Sequence, residues 1–368
     1  TQTRVRLVDF ELGVGLVLAL TVSLYVGNAL KDLVCAPRPL AMTTRGEGDE
    51  GEEDGSGSSK TRRLPKICLL TADSSGASEA KSLLEYGFPS SHVMNSLVLS
   101  LHAVECCRER FPAWPLFSTS SFSVSVAAAR AVAVLWTLLV ALARVACGMH
   151  TPVDVAGGLL SGFLVVAALA LEDVGGGAGG GLSLDAGYVA WLASRGPAAA
   201  ALHTLATALL LRLHPLPLKY TTSFEATTAI AGACAGVALG VSLGGGSHPL
   251  LPLSPSSLSS SFAPFTPFAA LRRVVAGLAL VALVKEVSKR AVLSLVPLPY
   301  RALPLRLRRL WQPPVRSLSR NERMERLGIP VDADGRPWDE VLTANFFGYA
   351  SLGWAVAGLA PAGFQAAG

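Results

Sequence analysis

The chain has 368 residues, of which 51% are hydrophobic and only 15% charged, with a formal net charge of +5. Soluble domains carry about 25% charged residues, so this composition, with a mean hydropathy of +0.46, excludes an ordinary soluble enzyme. The basic residues flank long apolar runs and do not interleave with aromatics on a polar surface, which excludes a nucleic-acid-binding face.

A spanning helix needs about 20 mainly apolar residues. The first such run covers 8–30 and stops at Lys31. The chain starts at Thr1 and enters this run without a cleavage signature, as expected of a fragment or processed form with no signal peptide. A polar loop to residue 88 follows; its Gly-, Glu- and Ser-rich part, within 46–64, cannot bury a core. Further runs cover 93–107, 122–147 (with Arg130 inside it) and 153–171, then a Gly-rich linker over 172–186. Behind it lie runs at 188–211, 226–243, 274–296 and 344–362, joined by a Ser/Pro-rich segment, 244–267, and a basic one, 300–326. The expected fold is all-α, a polytopic transmembrane bundle of about seven or eight helices. A catalytic core over 1–171 precedes a C-terminal helical part over 187–368. The six cysteines show no spacing of a zinc or redox site; Cys106 and Cys107, beside Arg108, are candidates for S-palmitoylation.

Alternation of the first four runs places 31–45, 85–92 and 144–154 on one membrane face. The first segment carries Lys31 and Arg38-Pro39, the second Pro89-Ser90-Ser91-His92, the third Arg144, His150 and Asp154. A phosphate group wants this mixture: guanidinium forks bind its oxygens bidentately, Lys adds a point charge, and free N–H groups at a helix start add donors. Two histidines allow a division of labour. A neutral imidazole at His150 can take a phosphoryl group, with Asp154, four residues on, fixing its tautomer. His92 can then protonate the leaving alkoxide. These roles require neutral His150 and protonated His92, so the rate should be bell-shaped in pH. His102, His203, His214 and His248 read as interfacial residues.

Together, Lys-x6-Arg-Pro, Pro-Ser-x-His and Arg-x5-His-x3-Asp resemble the three signature motifs of the type 2 phosphatidic acid phosphatase superfamily. The stretches around Tyr25 to Asn28, Lys31 to Arg45, Glu85 to Ser96 and Gly148 to His150 are similar to its sphingosine-1-phosphate phosphatase branch, also called long-chain base phosphate phosphatases. The resemblance implies a phosphatidic-acid-phosphatase/haloperoxidase-like core, with Lys31, Arg38, Arg144, Ser90 and Ser91 binding phosphate. It implies His92 as acid, His150 as nucleophile and Asp154 as its partner, with no metal or other cofactor. The implied substrate is a phosphorylated sphingoid lipid in the endoplasmic reticulum membrane. Ser91 stands where the superfamily often has Gly, as in the sphingoid branch, and Ala143 replaces a usual Ser. The acidic stretch 46–59 looks like a lineage-specific extension, and relatives usually carry more chain before the first helix.

Rival readings are a phosphatase of phosphatidate, a prenyl diphosphate or a sugar phosphate, or a non-catalytic lipid-binding or transport protein. The last would suit Arg130 or the Lys285, Glu286, Lys289 and Arg290 cluster, which reads first as a solvated, i,i+4-paired helix end. Arg4, Arg6, Arg108 and Arg110 argue for a cytosolic side opposite a luminal pocket; alternation of the later runs would put 301–309 in the lumen, so either one back-half run does not span or that segment breaks the trend. Oligomeric state is not legible.

Overall fold

The computed structural model describes residues 10–39, 85–110, 122–174, 184–215, 221–244, 267–295 and 338–360. Their secondary structure is helical: α1 (Phe10–Val34), α2 (Ser91–Arg110), α3 (Phe122–Ala146), α4 (Pro152–Val174), α5 (Leu184–Arg195), α6 (Pro197–Leu213), α7 (Thr222–Gly244), α8 (Pro267–Leu295) and α9 (Trp338–Trp354), which runs on into a π-helical turn, Ala355–Leu359. The acidic stretch within 46–64, the Gly-rich linker, the Ser/Pro-rich segment and the basic segment lie wholly or largely outside the described residues, as does His248.

Each expected apolar run coincides with helix, but not every helix has the length and apolarity of a span. Among the described residues four do: Leu12–Val34, Val126–Ala146, Pro152–Ala170 and Thr222–Gly244. The run expected as one span over 188–211 is instead two helices bent by 119° between Arg195 and Pro197; counted as one broken span it brings the total to five. The cause is local. Gly196 takes a positive φ of +58°, and Pro197, at the first position of α6, cannot continue the hydrogen-bond ladder of α5. On these criteria the described residues hold four spans, or five with the bent pair, fewer than the seven or eight expected. Helix α2 is diluted by His92, His102, Glu105, Arg108 and Glu109, and α8 by its basic and acidic residues.

The front half packs around α2, which touches α1, α3 and α4. Met94 and Val98 of α2 are fully buried with Ala19 of α1 and Val165 of α4. Outside this core, α3 turns Val132, Leu135, Trp136, Leu139 and Leu142 outward, as a lipid-facing helix would. Its Arg130 donates to Glu105 of α2 at 2.6 Å, which gives the charge within that run a partner.

The back half rests on α7 against α9. Gly232, Gly236 and Gly240 form a small-residue stripe that lets the two backbones approach, the usual device for packing helices in lipid. A Cβ on Gly236 would stand 1.9 Å from the Ala350 carbonyl oxygen. Helix α1 ties the halves together: Val14 packs with Val237, Ala238 and Val241, and Asn28 Nδ2 donates to the Ser223 carbonyl at 3.0 Å and Thr227 Oγ1 at 2.9 Å. The α8 cluster is a solvated pair, with Arg290 Nε donating to Glu286 at 2.8 Å on an exposed surface.

Candidate active site

The three polar segments meet at one end of α1. That helix stops at Cys35, which adopts a left-handed φ of +55° and returns its N–H to the Lys31 carbonyl at 2.9 Å, an αL cap. The reversed chain then pairs Pro37 with Tyr86 in an isolated antiparallel bridge, and the Gly87 N–H donates to the Ala36 carbonyl at 2.7 Å. The Ser90 N–H donates to the Asp154 carbonyl at 2.9 Å, so the second segment is bonded to both of the others. Gly87 sits in the seam, where a Cβ would lie 3.1 Å from Asp154 Oδ2 and 3.3 Å from the Pro37 carbonyl oxygen.

Helix α4 begins as its sequence suggests, with Pro152 at the first position and Asp154 in the first turn. Thr151 Oγ1 accepts the Asp154 N–H at 3.1 Å, while Asp154 Oδ2 accepts the Thr151 N–H at 2.7 Å. This reciprocal arrangement is a capping box with Asp in place of Glu. It holds the carboxylate facing His150, with Nδ1 to Oδ2 at 3.6 Å, slightly beyond a hydrogen bond. Nδ1 makes no hydrogen bond within the described residues.

His150 is buried, and so are Lys31, Arg38, Ser90, Ser91 and Asp154. Arg144, in the last turn of α3, is half-buried, and His92, in the first turn of α2, is exposed. Burial, then the charges of Arg38, Lys31, His92 and Arg144, push the His150 imidazole down to a pKa of about 3. All four basic groups thus favour the neutral form of this ring. Arg38 Nε and Ser90 Oγ are buried donors without a protein partner. Orphaned donors are costly, and a phosphate oxygen would satisfy them.

Sequence reading did not place Glu85 in the site. Its carboxylate is ion-paired with Arg38, lies 4.0 Å from Lys31 Nζ, and accepts a hydrogen bond from Thr222 Oγ1 at 2.9 Å. Burial alone would raise its pKa, but Lys31, Arg38 and the Thr222 hydroxyl outweigh burial and hold it below the usual carboxylate value. The available signal was its place directly before Tyr86, on the face that gathers the cations.

A second group was also missed. Asp32, next to Lys31, is buried and accepts from Thr221 Oγ1 at 3.0 Å, with His214 Nδ1 3.7 Å from its other oxygen. His214 is therefore not interfacial, as expected, but buried between Tyr25, Phe224 and Asp32. Burial pushes its imidazole down to a pKa of about 4. Asp32 and Glu85 thus anchor the first two segments to the start of α7, from the back half of the chain.

No solved structure matches this chain. A curated protein named "Lipid phosphate phosphatase delta", from Arabidopsis thaliana, is 26% identical over 355 residues, covering 93% of this chain and 72% of that protein. The family model that matches is the PAP2 superfamily, over residues 12–172. That stretch, a little under half of the chain, contains Lys31, Arg38, Ser90, Ser91, His92, Arg144, His150 and Asp154.

Proposed function

We propose that this chain is a membrane lipid phosphate phosphatase that hydrolyses sphingoid base 1-phosphates to the sphingoid base and inorganic phosphate. The carrying observation is the convergence of three distant segments around a buried, neutral His150 backed by Asp154 and set in the field of Lys31, Arg38 and Arg144. The PAP2 domain and the similarity to a lipid phosphate phosphatase support the reaction class. The apolar helices support a membrane setting, and we assign it to the endoplasmic reticulum with the pocket on the luminal face. The sphingoid substrate rests on the sequence around the motifs.

In this reading Lys31, Arg38 and Arg144 hold the phosphate oxygens, with Ser90 and Ser91 donating to them. His150 Nε2 attacks phosphorus, forming a P–N bond as the P–O ester bond breaks. His92 gives its proton to the departing alkoxide. Asp154 holds Nδ1–H and stabilises the charged ring of the phosphohistidine. Water, deprotonated by the now neutral His92, then attacks phosphorus; the P–N bond breaks and inorganic phosphate leaves. Nothing in these steps calls on a cofactor.

The test is phosphate release in detergent micelles with EDTA, for wild type and His150→Ala. Substrates are sphingosine-1-phosphate, its dihydro and phyto forms, and phosphatidate. Release from the sphingoid lipids that disappears in the variant is the expected result. Preference for phosphatidate overturns the substrate and leaves the reaction class standing. No release from any of them, with folded protein in hand, overturns the enzyme reading.

A further inference from the structure

We propose that Glu85 recognises an ammonium on the lipid substrate, carried on the carbon next to the one bearing the phosphate ester, and so selects amine-bearing over amine-free phosphate lipids. This rests on the phosphatase reading above and names the residue that would confer its substrate class.

Three features of the site carry the inference. First, Glu85 stands among the phosphate-binding cations: it pairs with Arg38 and lies 4.0 Å from Lys31 Nζ. A phosphate that takes those two cations comes directly against this carboxylate. Second, Glu85 is the accessible member of the trio. Its side chain is 33% exposed, against 3% for Lys31 and 4% for Arg38, so the carboxylate faces the side from which a ligand arrives.

Third, Glu85 is tethered. Thr222 Oγ1, at the start of α7, donates to its second oxygen at 2.9 Å. Displaced from Arg38 by phosphate, the carboxylate stays beside the pocket, held by the Thr222 hydroxyl.

The charges of the pocket then select the ligand. Lys31, Arg38 and Arg144 are three positive charges, and Glu85 and Asp154 two negative ones; Asp32 is turned toward Thr221 and His214. A phosphate dianion that takes Arg38 and Lys31 leaves Glu85 without its cation partner, with two anionic groups side by side. A ligand that also carries one ammonium gives the carboxylate that the phosphate has displaced a new cation partner. A phosphate lipid whose nearest substituents are esters or amides offers Glu85 no partner and meets its repulsion.

The experiment compares sphingosine-1-phosphate with its N-acetyl derivative, which keeps the phosphate and the chain but makes the amine neutral. Hydrolysis in detergent micelles is measured for wild type and Glu85→Gln. Wild type is expected to favour the free amine by at least about 10-fold in kcat/KM, and Glu85→Gln to reduce that ratio to about 3-fold or less, chiefly through a higher KM for the free amine. Equal loss on both lipids would make Glu85 an organiser of Arg38 and Lys31 and overturn the proposal, as would a ratio unchanged in the variant. Should Glu85→Gln not fold, Glu85→Asp keeps the charge but retracts it by a methylene, and a reduced preference of the same sign is expected. Independently of any variant, wild type that treats the two lipids alike overturns the proposal. Wild type that cleaves phosphatidate but neither sphingoid lipid overturns the substrate reading and this inference together. A preference that survives in Glu85→Gln overturns this inference alone.

Discussion

Asp154 and His150 are joined through a single oxygen: the Asp154 Oδ2 that faces His150 Nδ1 at 3.6 Å also accepts the Thr151 N–H at 2.7 Å. The capping box that starts α4 therefore also holds the carboxylate that faces His150. Asp154→Asn keeps the size and one acceptor oxygen but loses the charge that stabilises the phosphorylated ring. It is expected to lower kcat by about 100-fold or more, with little change in KM. Single-substrate kinetics on folded variant check this, and a variant that retains most of its kcat would contradict the assigned role.

Arg38 is the cation most committed to the pocket, buried, paired with Glu85 and holding an unpartnered Nε. Arg38→Lys keeps the charge and loses the planar fork. It is expected to lower kcat/KM by about 10-fold or more. Inhibition by vanadate or inorganic phosphate should weaken in parallel. Unchanged vanadate affinity would remove Arg38 from the phosphate site.

Much of this site is legible in the sequence, because catalytic groups at fixed spacing declare themselves and helix alternation brings three segments to one face. Pro152 and Asp154 mark the start of α4 correctly for the same local reason: they are first-turn residues. Glu85 is harder to read, since a lone carboxylate before a motif looks like a solvated loop residue until its partners Arg38, Lys31 and Thr222 are placed. The Asp32–Thr221–His214 group is not legible at all, for it joins residues about 190 positions apart. The Gly196–Pro197 break was written in the sequence but masked by apolar residues on both sides. Among the described residues fewer helices meet the length and apolarity of a span than the sequence suggests, because charged residues dilute α2 and α8.

The pH dependence follows from the sign of the His150 shift. Burial and the charges of Arg38, Lys31, His92 and Arg144 lower its pKa to about 3. A lowered value favours the neutral ring, so His150 is ready to attack throughout the ordinary range and does not set the acid limb of kcat/KM for the free enzyme. The alkaline limb reports loss of the proton from His92, whose pKa burial and then the charges of Arg144, Lys31 and Arg38 lower to about 4 in the free protein, so the decline begins near the acid end of the range. A pH series of kcat/KM should fall on the alkaline side, and His92→Gln should lower the rate and flatten that limb. A wild-type profile flat from pH 5 to 9, with chemistry limiting, would contradict the two-histidine division of labour.

The back half supports the site through α7, whose approach to α9 leaves no room at Gly236. Gly236→Val forces the helices apart and is expected to cost about 1–3 kcal/mol. The effect should appear as a lower melting temperature and a lower yield of folded protein in detergent. The folded fraction should retain its KM, because the substitution touches no pocket residue. Normal stability in this variant would contradict the α7–α9 packing.

The most direct test of the central claim is capture of the covalent intermediate. Wild type mixed with a lipid phosphate labelled on phosphorus and quenched within one turnover should carry label that is stable to alkali and labile to acid, mapping to the peptide that contains His150. His150→Ala should carry none and release no phosphate. Turnover by wild type without labelled enzyme, together with phosphate release by His150→Ala, would contradict nucleophilic catalysis at His150.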